Sequence, residues 1–339
     1  MVKATPSAQS PLIDSFGRRI SYLRISVTDR CDLRCRYCMA EHMTFMPRSA
    51  VLSLEEIATI ADAFIARGVS KIRLTGGEPL VRRGVIDLAH MIGRHLESGA
   101  LRELTLTTNG TRLGDEAARL YAAGIRRINV SLDSRDPDRF RHITRTGDVA
   151  GVLEGISAAK EAGLRVKINM VALKGFNDDE IEPMLRWCAD HGHDLTLIET
   201  MPLGAIDEDR TDRYLPLDSV RDQLAGRYTL TPLTETTGGP ARYHRVEELG
   251  VKLGLITPLT HNFCESCNRV RLTAEGKLYM CLGQEDRVDL RAALREGGPE
   301  ALGEALDEAM RGKPLRHYFA IAKRGAEPAV SRHMSVTGG

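Results

Sequence analysis

Three cysteines are crowded into one short segment with the spacing C-x-x-x-C-x-x-C, at Cys31, Cys35 and Cys38. Thiolates are soft ligands that suit iron–sulfur clusters, zinc or copper(I), and three protein ligands leave one coordination position open for another molecule. An open position favours a catalytic site over a closed structural one. The alternatives are a structural zinc site completed by a distant residue, a disulfide with a spare thiol, and cysteines that only pack.

A second group of three thiols lies in the C-terminal part of the chain, at Cys264, Cys267 and Cys281. From residue types alone, a zinc knuckle completed by His261 and an iron–sulfur cluster are equally compatible with this group. Arg269 and Arg271 lie two residues apart, so on a strand they would project on one face and could bind an anion together. A solvated surface pair is the alternative. The seventh cysteine, Cys188, lies in a helical pattern beside Trp187 and is expected to pack in the core.

The overall composition excludes several classes of function. The chain has 339 residues, and 47 basic and 46 acidic residues give a net charge of +1, so nothing global favours binding to nucleic acid or to a membrane surface. Residues 1–11 lack the apolar core of a signal peptide, and no apolar run approaches the length of a membrane span. We expect a cytoplasmic protein, in which cysteines serve metal binding or catalysis rather than disulfides.

Strand-like and helical patterns alternate along the first two thirds of the chain. The strand-like runs cover 22–27, 70–75, 103–108, 127–132, 165–171 and 194–200. Ser53 followed by Glu56 is the clearest helix start, because this pair forms a capping box. Six βα units in succession predict a parallel sheet with helices outside it.

The strands also alternate polar and apolar residues, which is unusual for a parallel strand covered on both faces or for a closed barrel filled with aliphatic side chains. We therefore predict an α/β fold, namely an incomplete TIM-like (β/α)6 barrel with a polar, ligand-filled lumen and a smaller C-terminal α+β subdomain. An antiparallel sheet with one wet face is the alternative. The predicted lumen cations are Arg24, Lys71, Arg73 and Lys167. Buried cations without anions are costly, so a polyanionic ligand is implied.

The chain is expected to divide into a mobile N-terminal arm, a partial barrel, a C-terminal subdomain and a tail, at 1–20, 21–215, 216–325 and 326–339. In the subdomain, 269–273 and 277–282 predict a hairpin, and helices are expected near 287–296 and 300–310. The composition of 334–339 predicts disorder.

The segment 75–79, Thr-Gly-Gly-Glu-Pro, directly follows the second strand. Alone it is weak evidence, but after the first cysteine spacing it resembles the G-G-E-P motif of the radical S-adenosylmethionine (SAM) enzymes. The resemblance implies that Cys31, Cys35 and Cys38 hold a 4Fe–4S cluster whose fourth iron chelates SAM. The SAM contacts that it implies are Tyr37, Gly77, Ser131 and Met201.

Within this superfamily the chain looks like the GTP 3',8-cyclases of molybdenum-cofactor biosynthesis. The matching segments are 23–31, 75–79, 107–110, 129–133, 264–271, Cys281 and the terminal Gly-Gly. The resemblance implies a second 4Fe–4S cluster, which binds guanine, on Cys264, Cys267 and Cys281. The GTP contacts that it implies are Arg24, Arg73, Thr107, Lys167, Arg269, Val270 and Arg271, and Lys71 is added to them as a predicted lumen cation. Some relatives have an arginine where this chain has Thr196, so one triphosphate contact is expected to be absent or replaced.

The implied activity is that of a radical SAM lyase that cyclises GTP to (8S)-3',8-cyclo-7,8-dihydroguanosine 5'-triphosphate. The implied partners are GTP, SAM, an external electron donor and a downstream cyclic pyranopterin monophosphate synthase, and a homodimer is one option for assembly. Gly338 and Gly339 lack side chains, so we expect the tail to enter the barrel mouth and assist the radical step. The alternatives are a peptide-modifying radical SAM maturase with an auxiliary cluster and a zinc-stabilised binding module without catalysis.

Overall fold

The fold is known from a computed structural model that describes residues 10–206, 209–235, 237–321 and 324–338. Within these ranges the chain forms one twelve-stranded sheet and ten α-helices. The strands are β1 (Tyr22–Ser26), β2 (Lys71–Thr75), β3 (Glu103–Thr108), β4 (Arg127–Ser131), β5 (Arg165–Val171), β6 (Asp194–Ile198), β7 (Leu230–Leu233), β8 (Arg242–Val246), β9 (Val251–Ile256), β10 (Arg269–Leu272), β11 (Lys277–Tyr279) and β12 (Arg287–Asp289). The helices are α1 (Leu54–Ala66), α2 (Val85–Glu97), α3 (Leu113–Ala122), α4 (Pro137–Thr144), α5 (Val149–Glu161), α6 (Ile181–His191), α7 (Arg210–Arg213), α8 (Leu217–Ala225), α9 (Leu290–Arg311) and α10 (Met334–Thr337).

Strands β1 to β6 lie side by side in chain order, and every neighbouring pair is parallel. Helices connect them, and α1 begins at the predicted capping box, in which Glu56 N donates to Ser53 Oγ at 3.1 Å and Ser53 N donates to Glu56 Oε2 at 2.7 Å. The incomplete (β/α)6 barrel is thereby confirmed, and the antiparallel alternative is wrong for these strands.

The two faces of the barrel strands differ as the alternation predicts. Leu23 and Ile25 of β1 and Ile72 of β2 are completely buried among the residues of the hydrophobic core. The intervening polar residues of the same strands face the lumen, where Arg24 and Arg73 line a cavity. The apolar stripe therefore fixes the helices outside, and the register then directs the charges inward.

The C-terminal part of the chain continues the barrel sheet at both edges. β9 pairs parallel with β6, and β10 pairs parallel with β1. The predicted hairpin of β10 and β11 is confirmed, whereas the strands β7 to β9 were not predicted. Where two helices were expected, residues 287–289 form β12 and α9 is one long element that is interrupted at Gly298, whose φ of 66° and ψ of −154° are not helical.

Both ends of the described chain are packed. Leu12 and Ile20 are fully buried, and Leu12 N donates to Arg67 O at 3.2 Å. Residues 10–20 are therefore packed and do not form the mobile arm that was expected for 1–20. Residues 1–9 lie outside the described part. Near the other end, Ser335 and Thr337 of α10 are each 1% exposed, in contrast to the disorder expected from composition. None of the described helices is long and apolar enough to span a membrane.

Candidate active site

The first thiol group lies in the loop that follows the carboxyl end of β1. Leu33 N donates to Cys31 Sγ at 3.4 Å, and Cys38 N donates to Cys35 O at 2.9 Å, so a tight turn gathers the three side chains. Burial raises the pKa of Cys31 and of Cys38 to about 12. Burial also raises the pKa of Cys35, and the neighbouring Cys38 and Cys31 add to this effect. A metal must therefore displace the thiol protons when it binds.

The Gly-Gly-Glu-Pro segment after β2 holds this cysteine loop in place. A Cβ at Gly77 would lie 2.3 Å from Arg30 O, so only glycine allows the two loops to touch. The buried Glu78 carboxylate accepts from Thr108 Oγ1 at 2.8 Å and from Asn109 N at 2.7 Å, which ties the segment to β3 and its loop. Burial raises the pKa of Glu78 to about 7 in spite of these bonds.

The predicted SAM contacts lie at this same end of the barrel. Ser131 is the last residue of β4, Met201 follows β6, and Gly77 follows β2. The Tyr37 hydroxyl donates to Asp133 Oδ2 at 2.5 Å, and Asp133 is a buried residue just after β4. Burial raises the pKa of Asp133 to about 6. The carboxyl ends of the strands thus bring together residues that are far apart in the sequence.

A cavity in the lumen is strongly basic. Among its lining residues in the described part of the chain, five side chains are cationic and none is acidic. The cationic residues are Arg24, Arg73, Lys167, Arg269 and Arg271. Burial lowers the pKa of Arg24 to about 9 and that of Arg271 to about 10, so both stay charged at neutral pH. Because charges of one sign are gathered here away from water, the cavity favours a polyanionic ligand.

The remaining predicted GTP contacts differ in their position. Thr107 Oγ1 accepts from Arg73 Nη1 at 3.4 Å, next to the cavity. Val270 is completely buried in the hydrophobic core, so only its backbone could face a ligand. The ammonium of Lys71 does not line the cavity but pairs with Glu103 Oε2 at 2.7 Å and donates to the carbonyl of Thr237.

The second thiol group lies around the β10–β11 hairpin, with two cysteines just before β10 and one just after β11, at Cys264, Cys267 and Cys281. Burial opposes ionisation of Cys267, but the charges of Arg269 and Lys313 outweigh it and lower its pKa to about 7. Lys313, which the sequence does not single out, donates to Met280 O at 2.7 Å and to Arg269 O at 3.0 Å, and its Nζ lies 3.7 Å from Cys267 Sγ. Burial raises the pKa of Cys264.

The three thiols of each group are soft ligands of the number that a 4Fe–4S cluster takes, with one iron left open. Within the described ranges, no three His, Cys, Asp or Glu residues converge closely enough to hold one ion. A 4Fe–4S cluster makes a different demand, because its thiolates bind separate irons. His261, the predicted fourth ligand of a zinc knuckle, pairs instead with Asp218 Oδ2 at 2.9 Å and has a side chain that is 48% exposed.

The C-terminal tail reaches the barrel mouth. A Cβ at Gly338 would lie 1.9 Å from Thr75 Oγ1, at the end of β2, and the φ of +76° also favours glycine there. Met334 and Gly338 line the same cavity as the lumen cations. Gly339 lies outside the described residues.

Tyr22 and Tyr243 also line the cavity and were not predicted, whereas Asn129 belongs to the polar face of β4 that the strand alternation predicts to line the lumen. Tyr22 could have been found, because it lies two residues before Arg24 and so on the same face of β1. A larger groove of about 870 Å³ is lined by residues of α6 and α8 such as Arg186 and Gln223, but it contains neither a cysteine nor a lumen cation.

A partial (β/α)6 barrel with a three-cysteine loop at its carboxyl end defines a radical SAM protein. Family profiles agree, since the one described as Radical SAM superfamily matches residues 25–188 and the one described as Molybdenum Cofactor Synthesis C matches residues 193–319. The GTP 3',8-cyclase of Rhizobium meliloti (strain 1021) is 61% identical over 331 residues, which cover 97% of this chain and 95% of that protein. The GTP 3',8-cyclase of Brucella canis (strain ATCC 23365 / NCTC 10854 / RM-666) is 59% identical over 341 residues, which cover 100% and 99%. The chain therefore belongs to the GTP 3',8-cyclase family.

Solved structures resemble the chain in fold. Streptococcus suis SuiB bound to S-adenosylmethionine superposes with a TM-score of 0.61 at 14% sequence identity, covering 88% of this chain and 66% of SuiB. SuiB bound to the precursor peptide SuiA gives a TM-score of 0.59 at 16% identity, covering 90% and 66%. These identities support a common fold and nothing about the substrate.

Proposed function

We propose that the protein cyclises GTP to (8S)-3',8-cyclo-7,8-dihydroguanosine 5'-triphosphate with the help of SAM, as the first step of molybdenum-cofactor biosynthesis. The observation that supports this most directly is the lumen cavity with five cations and no acidic lining residue among those described. A triphosphate satisfies such a cavity, whereas the peptide substrate of a maturase does not require it. The identity of 61% to a GTP 3',8-cyclase supports the same reaction.

Cys31, Cys35 and Cys38 would hold the first 4Fe–4S cluster, close to Gly77 and Ser131. When bound, the cluster would supply the electron that splits SAM into methionine and the 5'-deoxyadenosyl radical, which removes the 3' hydrogen of GTP to give 5'-deoxyadenosine before C3' joins C8 of guanine. The radical that this bond leaves on guanine would take one further electron, from the external donor, and a proton to give the 7,8-dihydro product. We propose that the backbone at Gly77 receives the SAM amino group, that Ser131 and Met201 contact SAM, and that Tyr37 contacts the adenine. The role of the protein is to hold both ligands in reacting geometry and to exclude water.

Cys264, Cys267 and Cys281 would hold the second 4Fe–4S cluster, which binds guanine. In this proposal Arg269, Arg271 and the backbone of Val270 contact the base end of GTP, since they adjoin Cys267 in sequence. The cations on the barrel strands, together with Thr107, would contact the ribose and the phosphates. Lys71 would contribute only if it left Glu103, with which it pairs at 2.7 Å.

The tail would complete the site from the barrel mouth. Gly338 lies against Thr75, beside the motif proposed for SAM, so its position supports a role for the terminal pair in the radical step. We further propose the division into partial barrel, C-terminal subdomain and tail at 21–215, 216–325 and 326–339. An external electron donor, a downstream cyclic pyranopterin monophosphate synthase and a homodimeric assembly complete the proposal.

Anaerobic reconstitution tests the whole assignment. The protein should contain about eight irons and no zinc, because two three-cysteine groups each hold a four-iron cluster. With SAM, GTP and a strong reductant it should release methionine, 5'-deoxyadenosine and the cyclised nucleotide, which mass spectrometry detects. About four irons and one zinc would contradict the second cluster. Fully loaded protein that cleaves SAM but leaves GTP unchanged would contradict the function.

A further inference from the structure

Lys167 reaches the lumen cavity from β5 and is only 5% exposed. Its ammonium donates to the Tyr243 hydroxyl at 2.8 Å and lies 5.3 Å from the centre of the Tyr243 ring. Lys71 is different, because a carboxylate oxygen of Glu103 neutralises its ammonium at 2.7 Å. A neutral hydroxyl fixes the direction of the Lys167 amine without pairing its charge. Burial and the neighbouring Arg73 and Arg127 lower the pKa of Lys167, so an anion in the cavity stabilises its ammonium form.

Tyr243 belongs to β8, yet its hydroxyl accepts a hydrogen bond from Lys167 of β5. Two strands, β9 and β6, lie between β8 and β5 in the sheet. The ring can cross this distance because its ladder partner on β9, Gly254, has no side chain. A Cβ at Gly254 would lie 2.8 Å from Cε1 of the Tyr243 ring and 2.9 Å from Thr196 Oγ1. Gly254 and the short Thr196, which face each other in the ladder, therefore leave the space that the ring occupies.

The Tyr243 hydroxyl is also linked to residues 237–241, which we call the floor loop. Thr237 Oγ1 lies 3.0 Å from Tyr243 Oη, and the Thr237 carbonyl accepts from Lys71. Thr237, Gly239, Pro240 and Ala241 of this loop line the cavity. One tyrosine thus joins a charged lumen side chain to the wall of the cavity.

We infer that Tyr243 is a substrate-positioning residue, whose hydroxyl holds the Lys167 ammonium toward the cavity and, with the floor loop, forms the subsite for the outer phosphates of the nucleotide. The inference rests on the proposed function, because it requires a nucleoside triphosphate. The base end of GTP is proposed to lie at β10, so the phosphates extend toward β5 and β8.

The test uses reconstituted holoenzyme and the variant Tyr243→Phe, which removes one hydroxyl and keeps the ring. We expect the KM for GTP to rise about tenfold, as for loss of a hydrogen bond to a charged group, with kcat changed less than about twofold. The inhibition constant of guanosine 5'-monophosphate should stay the same. Because only the triphosphate binds more weakly, the preference of the variant for GTP over the monophosphate should fall. Because Tyr243 acts through Lys167, adding Tyr243→Phe to Lys167→Met should weaken GTP binding no further.

Two further variants sharpen the test. Tyr228→Phe is the matched control, because Tyr228 is also buried but its hydroxyl donates to Glu182 Oε1 at 2.9 Å and does not line the cavity; it should leave every constant unchanged. Gly254→Ala displaces the ring and keeps the hydroxyl, so it should act in the same direction as Tyr243→Phe.

The inference is overturned if Tyr243→Phe has the wild-type KM and nucleotide preference, if it weakens the monophosphate and the triphosphate equally, or if it loses iron. The last two outcomes would assign a structural role to the residue. Failure of the wild-type enzyme to cyclise GTP in the same assay would instead refute the proposed function.

Discussion

The two thiol groups lie at opposite ends of one pair of strands. The first follows the carboxyl end of β1, whereas Cys264 and Cys267 precede the amino end of β10. These strands run parallel with Tyr22 opposite Arg269, so about one strand of five residues, roughly 16 Å at the usual rise, separates the groups. The basic cavity lies between them, which allows one substrate to contact both ends.

The electrostatic surroundings of the two groups are opposite. At the first group burial raises the thiol pKa values, and the carboxylates of Glu78, Asp32 and Asp133 add to the effect. At the second group Arg269 and Lys313 outweigh burial and lower the pKa of Cys267 to about 7. The first end thus suits a ligand that brings positive charge, such as the sulfonium and amino groups of SAM, whereas cations already surround the second. This difference supports the proposed division of roles, with SAM cleavage at the first group and substrate binding at the second.

Among the variants that test the difference between the two thiol groups, loss of one thiol of the first group should have the largest effect on activity. In Cys31→Ala, Cys35→Ala or Cys38→Ala, formation of 5'-deoxyadenosine should be abolished and about four irons lost, because the iron that binds SAM disappears. Chromatography of the nucleosides and iron analysis measure both. Cys188→Ala is the control, since Cys188 is fully buried in the core and should not affect iron content. Normal 5'-deoxyadenosine formation in any of the three variants would contradict the assignment.

Removing one thiol of the second group should separate the two reactions. Cys281→Ala should lose the cyclised product but keep slow, uncoupled cleavage of SAM, because the first group is intact and distant. Both products can be quantified in the same chromatogram. If cyclisation continues in a variant that has lost the second cluster, that cluster is structural and the two ends do not differ in role.

The barrel could be predicted because its signal repeats within each strand. The bounds of β3 and β5 match the predicted runs, since alternation along the whole strand reports which face is buried. β7 and β8 give no such signal: β7 contains Pro232, and β8 has arginine or histidine at three of its five positions. They are strands because β9 pairs with β6 and extends the sheet, which is a tertiary effect.

The cysteines and the lumen cations could be predicted because their spacing and their strand face can be read from the sequence. The residues that contact them in the folded chain could not be predicted. Lys313 has acceptors 44 and 33 residues away in the chain, at Arg269 O and Met280 O, so no local pattern could indicate its role. Lys71 shares the face of Arg73, but its pairing with Glu103 depends on the register of β2 and β3. Sequence patterns give the face on which a side chain lies, and the register decides its partner.

The tail should affect the reaction that spans both ends while leaving each cluster unchanged. Deleting Gly338 and Gly339 should preserve iron content and GTP affinity but reduce the cyclised product more than about tenfold, as expected for loss of a group that positions reacting partners. Gly338→Ala should act in the same direction, because its Cβ would collide with Thr75 Oγ1. Gly325→Ala is the control, since its φ is also positive but no atom lies within 4 Å of the added Cβ. Turnover at the full-length rate after truncation, or a harmless Gly339→Trp, would disprove the role of the tail.

The smallest expected effect is a shift in the reduction potential of one cluster. It shows whether the cations around the second thiol group affect only the cluster held there. Lys313→Met removes a cation whose Nζ lies 3.7 Å from Cys267 Sγ. Because a nearby positive charge stabilises the reduced cluster, its loss should lower the reduction potential of the second cluster by on the order of tens of millivolts. The potential of the first cluster should not change, since roughly 16 Å and the intervening charges separate the two. A redox titration followed by electron paramagnetic resonance resolves the signals of both clusters. The control is Lys277→Met, because Lys277 of β11 is a lysine that pairs with Asp289. Equal shifts of both clusters, or no shift of the second, would mean that the opposite surroundings of the two thiol groups do not tune them separately.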